Sequence, residues 1–280
     1  MKVRAVQFAP VLGNIARNLE SHLERIETAI GDGIELIVFP ELSLSGYQLK
    51  DIAAETALNP DSPELAALCC PGRQIDIVIG APLELTPGLI SNCAIHISGG
   101  AITHIHRKVQ LPNYGMFEEQ MIFKPGDSFI SIPVKGFRVG LLICREILFP
   151  IHAYLYYLQG TDLLIGISNS PFRGLEKDRF SSFAYWETMG TVFAFFYHQN
   201  YLFVNRTGFE DGIGFGGGSF YAAAGRGIVE RAPLIEDAIL DAEIDGEEVR
   251  RSRLASCYRR DEHPRLILKE LERIINAGHE

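Results

Sequence analysis

Four polar residues follow closely on apolar runs of strand length: Glu41 after LIVFP, Lys108 after ITHIHR, Cys144 after GLLI and Asn169 after LLIGIS. In open α/β sheets ligands gather beyond the carboxyl ends of strands, so side chains at these positions could meet a substrate. A carboxylate, an ammonium and a thiol brought to one sheet edge would supply a base, an electrophilic stabiliser and a nucleophile. Taken singly, each has a plainer reading. A lone Cys after an apolar run serves as a small core residue, and a lone Glu or Lys at a strand end as a solvated charge. Their joint occurrence is what points to chemistry.

Other patterns carry less. His104 and His106 alternate on one strand and share a facing; a metal pair is conceivable there, but a polar sheet face is the simpler expectation. Gly212, Gly214 and Gly217 satisfy GxGxxG, yet they lead into SFYAAAGRG, which reads as a hairpin where nucleotide binding needs a helix. The His nearest Cys144 in sequence is His152, eight residues on, so a Cys-His hydrolase fits less well than a Cys-Glu-Lys one. Neither a CxxC pair nor HExxH is present, and no metal is expected.

The elements that must position these groups alternate between strand and helix. VRAVQFAP reads as a buried strand, Asn14 as a helix cap, and Ile15, Leu19, Leu23, Ile26 and Ile30 as the apolar face of the helix it starts. Gly31 and Gly33 end that helix before ELIVFPEL, which favours a parallel strand pair with a right-handed crossover. A helix from about Ser62 to Cys69 precedes the strand IDIVIGAP. SNCAIHIS and AITHIHRKV, joined at Gly99 and Gly100, form an antiparallel hairpin and make the sheet mixed. FRVGLLIC, a helix from Pro150 to Leu158, the strand DLLIGISN and a long helix from about Leu175 to His198 follow. Beyond Tyr201, the strands YLFVNR, GSFYAAA, GIVERA and AILDAEI precede a charged helix around Arg265 to Ala277.

With 280 residues, 47% apolar and 22% charged, the chain can bury a large core. A net charge of -9 argues against an extended phosphate-binding surface, so no nucleic-acid partner is expected. Five cysteines at irregular spacing fit reduced thiols. MKVRAVQFAP lacks the apolar stretch of a secretory signal, and no apolar run reaches the roughly 18–20 residues of a membrane span. A soluble, cytoplasmic protein without a membrane partner is expected. No linker or repeat divides the chain, so 1–280 reads as one domain with 246–280 as a C-terminal helical tail.

FPELSLSGY around Glu41, HRKVQLPNYGMFEE around Lys108 and LLICREILFP around Cys144 resemble, in order, the three motif blocks of the nitrilase superfamily of carbon-nitrogen hydrolases. SNSPF and GGSFYAAAGRGIV match further on, and the resemblance runs from about Lys2 to Ile244. It implies an α/β fold, a four-layer α-β-β-α sandwich with two mixed sheets. It also implies hydrolysis of a non-peptide carbon-nitrogen bond through a thioester on Cys144, with Glu41 as base, Lys108 as stabiliser and no cofactor. The family uses a second Glu after the Lys. Glu118 and Glu119 both stand there, and counting back from FKPGD favours Glu119. Relatives associate through helices in the region around Trp186, which implies a homodimer or larger homo-oligomer.

LPNYGMFEEQ, SNSPF and the Gly-Gly-Ser segment most resemble the glutamine-hydrolysing domain of NAD synthetases. That likeness implies that Tyr114 and Phe117, with Tyr47 and Ser170, bind substrate. The SGGxDS of a synthetase half is missing, since the SGG at Ser98 continues AIT, so a free-standing amidase or a glutaminase subunit with a separate partner is expected. Arg145 departs from the pattern, because glutaminase-like members carry an acid after the nucleophile. Either Arg145 faces the pocket and favours a carboxylate-bearing amide, or it pairs with Glu146 or points away. A linear small-molecule amide is expected before a nitrile or an N-carbamoyl compound. An acyltransferase using the same thioester, or an inert nitrilase-like interaction protein, are the competing readings; product analysis and selective labelling of Cys144 separate them.

Overall fold

The structure, a computed structural model, describes residues 1–176 and 179–278. Strand β1 (Lys2–Gln7) leads into helix α1 (Ile15–Gly31) and back to β2 (Leu36–Val38). Asn14 caps α1 by accepting from the Arg17 N–H, and β1 and β2 pair in parallel, as the sequence pattern predicts. Short helices α2 (Ala53–Thr56) and α3 (Pro63–Leu68) precede β3 (Asp76–Thr86), β4 (Leu89–Ser98) and β5 (Ala101–Arg107). Gly99 and Gly100 both take positive φ, which suits the tight turn joining β4 to β5.

After α4 (Glu119–Ile122) come β6 (Ile132–Val134), β7 (Phe137–Ile143), α5 (Pro150–Leu158) and β8 (Leu163–Ser168). The next segment differs from the long helix predicted over 175–198. Residues 175–180 contribute two short strands, β9 (Leu175–Glu176) and β10 (Arg179–Phe180), and α6 occupies only Ser181–Phe196. Lys177 and Asp178 lie outside the described residues. The cause of the late start is local: Gly174 takes a left-handed φ of +62° and its carbonyl accepts from the Ser181 N–H, so the chain doubles back before helix can begin. Strands β11 (Asn200–Asn205), β12 (Thr207–Glu210), β13 (Ile213–Gly216), β14 (Phe220–Ala223), β15 (Gly227–Arg231) and β16 (Ala238–Glu243) follow, then α7 (Gly246–Ala255) and α8 (Pro264–Asn276). The GxGxxG glycines thus run through the β12–β13 hairpin and into strands rather than a helix.

Two mixed six-stranded sheets result, ordered β16-β1-β2-β3-β4-β5 and β15-β14-β11-β8-β7-β6. Alternation along β2 shows how they stack. Leu36 and Val38 join the core shared with Leu141, Ile143, Ile165 and Leu202 of the second sheet, while Ile37 faces outward into a second core with Ile26 and Ala29 of α1. Tyr156 of α5 and Phe193 of α6 cover the far side of the second sheet, completing the four layers. Among the described residues, no helix is long and apolar enough to cross a membrane.

Candidate active site

Lys108 is the first residue past β5, Cys144 the first past β7 and Asn169 the first past β8; Glu41 lies just beyond β2. Two antiparallel steps separate β5 from β3, so β5 runs in the same sense as β2 and β3, and Glu41 and Lys108 leave their sheet at one edge. Cys144 and Asn169 leave the parallel neighbours β7 and β8 of the other sheet. The turn carrying Glu41 rests on Gly80 of β3: a Cβ there would lie 2.3 Å from the Leu42 nitrogen, so no larger residue fits. Cys144 itself takes a left-handed φ of +46°, a conformation that costs a non-glycine residue on the order of 1–3 kcal/mol.

These ends converge on a buried charge cluster. The Lys108 ammonium donates to Glu41 Oε1 at 2.6 Å and to Glu119 Oε1 at 2.8 Å, and all three side chains are buried. Glu41 is held from two further directions: Asn92 Nδ2 donates to Oε1 and the Asn169 N–H to Oε2, both at 2.8 Å. The Tyr47 hydroxyl donates to Glu119 Oε1 at 2.6 Å. Of the two sequence candidates for the second glutamate, Glu119 enters the cluster and Glu118 is exposed.

Burial works against the Lys108 ammonium, but the charges of Glu119 and Glu41 outweigh it and hold its pKa above the usual lysine value. Burial pushes the Glu119 carboxyl up to about 7, Lys108 opposing and Glu41 reinforcing the rise. Burial, with the negative charge of Glu41, pushes the Cys144 thiol up to about 12, against the pull of Lys108. Near neutral pH the sulfur is therefore protonated, and its use as a nucleophile requires a base at the moment of attack.

Glu146 ties the two halves of this site together. Its Oε2 accepts from the Ile143 N–H, directly before Cys144, at 2.7 Å and bonds His106 Nε2 at 2.9 Å. Its Oε1 accepts from the Val109 N–H, directly after Lys108, at 2.6 Å. One carboxylate thus fixes the backbone beside both Lys108 and Cys144. This corrects one expectation, since His106 is buried against Glu146 instead of lying on a polar sheet face; of the alternatives open for Arg145, pairing with Glu146 is not formed, and Arg145 lines the cavity at Cys144. Burial raises the Glu146 carboxyl, yet His106 and the two N–H groups outweigh it and hold it below the usual glutamate range.

Glu146→Gln would turn an NH2 group toward one of these donors, and is expected to cost about 3 kcal/mol at pH 7. A depressed carboxyl stabilises the fold above its unfolded pKa, about 4.3, and loses that contribution as pH falls through the folded value. The gap between wild type and variant should therefore narrow in acid. Urea denaturation at pH 7 and pH 4 checks this, and an unchanged midpoint at pH 7 would remove the clamp.

Cys144 opens onto a cavity of about 270 Å³ whose lining also includes Tyr114, Phe117, Arg145, Ser170 and Trp186. Four of the five residues expected to bind substrate are therefore at the cavity. Tyr47 is not among its lining residues. Its backbone N–H donates to Glu210 and its hydroxyl to Glu119, so it braces the charge cluster instead. Sequence reasoning missed Asn92, Glu146, Arg173 and Trp186. Asn92 shares β4 with Ser91, His96 and Ser98, so its strand offered no signal that singled it out. Trp186 reaches the site by donating its indole N–H to Ser170 Oγ at 2.8 Å, a contact between α6 and the segment after β8 that has no local pattern. Among the described residues, no group of three or more His, Cys, Asp or Glu is placed to hold a metal ion.

Two mixed sheets between helical layers, with a buried Glu-Lys-Glu cluster behind a cysteine at a strand end, define a carbon-nitrogen hydrolase of nitrilase type. The chain belongs to the carbon-nitrogen hydrolase family, whose model matches residues 2–254. It is 29% identical over 267 residues to a glutamine-dependent NAD(+) synthetase of Thermotoga maritima, covering 93% of this chain and 45% of that protein. It is 30% identical over 281 residues to an (R)-stereoselective amidase of a Pseudomonas species, covering 94% and 96%. The chain thus spans less than half of the synthetase and nearly all of the amidase. Its fold matches the crystal structure of a carbon-nitrogen hydrolase from Helicobacter pylori with a TM-score of 0.83 and 25% identity, over 97% of this chain and 98% of that one.

Proposed function

We propose that this protein hydrolyses a small-molecule amide through a thioester on Cys144. The observation that carries the reading is the Glu41–Lys108–Glu119 cluster, buried behind a thiol that itself opens onto a cavity. Glu41 takes the Cys144 proton as sulfur attacks the amide carbon, and Lys108 with the Arg145 N–H stabilises the negative charge that develops on the carbonyl oxygen. As the carbon-nitrogen bond breaks, Glu41 returns the proton to the leaving ammonia or amine. Water, deprotonated by Glu41, then splits the thioester and releases the carboxylic acid with the thiol restored. Glu119, braced by Tyr47, holds Lys108 in place throughout. The likeness to an amidase over nearly its whole length supports this reading.

An ammonia-release screen across linear amides, glutamine, nitriles and ureido acids, with intact-mass detection of the acyl adduct, tests it. Ammonia release with an adduct on Cys144 from an amide is expected; no adduct and no release from any compound would overturn it. Self-association belongs to the same proposal. Tyr185 and Phe196 of α6 and Leu268 and Leu271 of α8 are exposed apolar residues that a second copy would cover. Sedimentation as a monomer at micromolar concentration would remove that part.

A further inference from the structure

Two guanidinium groups line the cavity, and among the described residues neither has an acidic partner. The Arg145 guanidinium lies over the Tyr114 ring at 4.6 Å, Tyr114 packs edge-on against Phe117 at 5.2 Å, and the Arg173 guanidinium lies over Phe117 at 5.2 Å. Both arginines line the cavity that reaches Cys144, and among the described residues its lining includes no Asp or Glu. Among the described residues neither guanidinium forms an ion pair, in a chain with 35 acidic residues against 26 basic ones. A guanidinium packed by its face on an aromatic ring keeps its edge N–H groups available for a planar, two-oxygen acceptor. The lining also includes the apolar groups of Pro112, Leu148, Pro171 and Trp186.

We infer that Arg145 and Arg173 form a carboxylate subsite, and that the cavity takes the monoamide of a short dicarboxylic acid. The inference rests on the hydrolase reading, because that reading places the amide carbon at Cys144. The scissile amide sits at the sulfur, a short methylene chain lies along the apolar wall, and the far carboxylate meets the two arginines. An α-ammonium beside that carboxylate would stand next to two like charges, so an amino-acid amide is disfavoured. This separates the chain from the glutamine that names its synthetase relatives.

Three ligands of one chain length isolate each charge: glutaramate, pentanamide, which lacks the carboxylate, and glutamine, which adds the ammonium. Calorimetric titration of Cys144→Ala protein is expected to show glutaramate binding about 10- to 100-fold more tightly than either of the others. Adding Arg173→Gln or Arg145→Gln should reduce the preference for glutaramate over pentanamide by about tenfold. Equal binding of glutaramate and pentanamide, a preference for glutamine, no measurable glutaramate binding, or a preference that survives both substitutions overturns the subsite. Failure of the hydrolase reading shows separately, as wild-type protein that neither releases ammonia nor acylates Cys144 with any of the three, whatever the Cys144→Ala protein binds.

Discussion

Cys144→Ala is expected to lower ammonia release from a good amide substrate by about 10⁴-fold or more while leaving the protein folded. The proposed reaction passes through a bond to the sulfur, and alanine offers no atom to form it. Neighbouring groups cannot compensate: Glu41 and Glu119 serve as base and brace rather than as nucleophiles, and the buried hydroxyl of Ser168 lacks the nucleophilicity of a thiol. Stability should change little, because alanine has nearly the same steric conflict at φ +46° as cysteine and removes one atom from a small buried side chain. The check is ammonia release alongside the thermal midpoint. Ammonia release at the wild-type rate would refute the thioester outright. A collapse of the midpoint would instead make the loss of activity a folding effect, which Cys144→Ser, nearly isosteric with the native residue, would then be used to separate.

Lys108→Met carries the second large effect, and it acts on stability as well as rate. Lys108 is fully buried between Glu41 and Glu119, so its removal leaves two carboxylates in one dry site with no cation between them. Breaking a buried pair in this way costs about 3–5 kcal/mol, because the remaining charge is uncompensated. The pH dependence identifies the cause. A carboxyl whose folded pKa stands above its unfolded value of about 4.3 makes the fold less stable as pH rises from the unfolded value through the folded one. Glu119 already sits at about 7 with Lys108 lowering it, so the variant's value must rise further. The deficit relative to wild type should be largest above pH 7 and shrink toward pH 5, where Glu119 is protonated in both proteins. Lys108→Met/Glu119→Gln should recover part of the stability at pH 8 without recovering activity, which is expected to fall about 10²- to 10³-fold when the stabilising cation is lost. Urea midpoints at pH 5 and pH 8 decide it. An equal deficit at both values would mean that Lys108 contributes packing and not charge compensation.

Much of the framework was legible in one dimension because its signals are local. Period-two alternation with the Gly99–Gly100 turn marked the β4–β5 hairpin, and Asn14 with its helical apolar spacing marked α1. Polar residues closing apolar runs marked Glu41, Lys108, Cys144 and Asn169. All four stand at strand ends that meet, since a chain that alternates strand and helix carries its parallel strands to one edge. The late start of α6 was not legible, because the sequence from Leu175 to Phe180 has the composition of a helix, whereas Leu175–Glu176 and Arg179–Phe180 pair as strands and the left-handed Gly174 accepts from the Ser181 N–H.

By itself, then, the amino-acid order determined which residue types end the strands, and so the kind of chemistry the molecule can hold. Only the tertiary structure brought Glu119 rather than Glu118 to Lys108, set Tyr47 against Glu119 instead of in the cavity lining, placed Glu146 across the backbones of Lys108 and Cys144, and brought Arg173 to the same cavity as Arg145. The physical reason is common to all four. Each depends on hydrogen bonds or ring contacts between segments far apart in sequence, and which of several equivalent side chains makes them is set by how the two sheets and their loops pack, a relation that no local periodicity encodes.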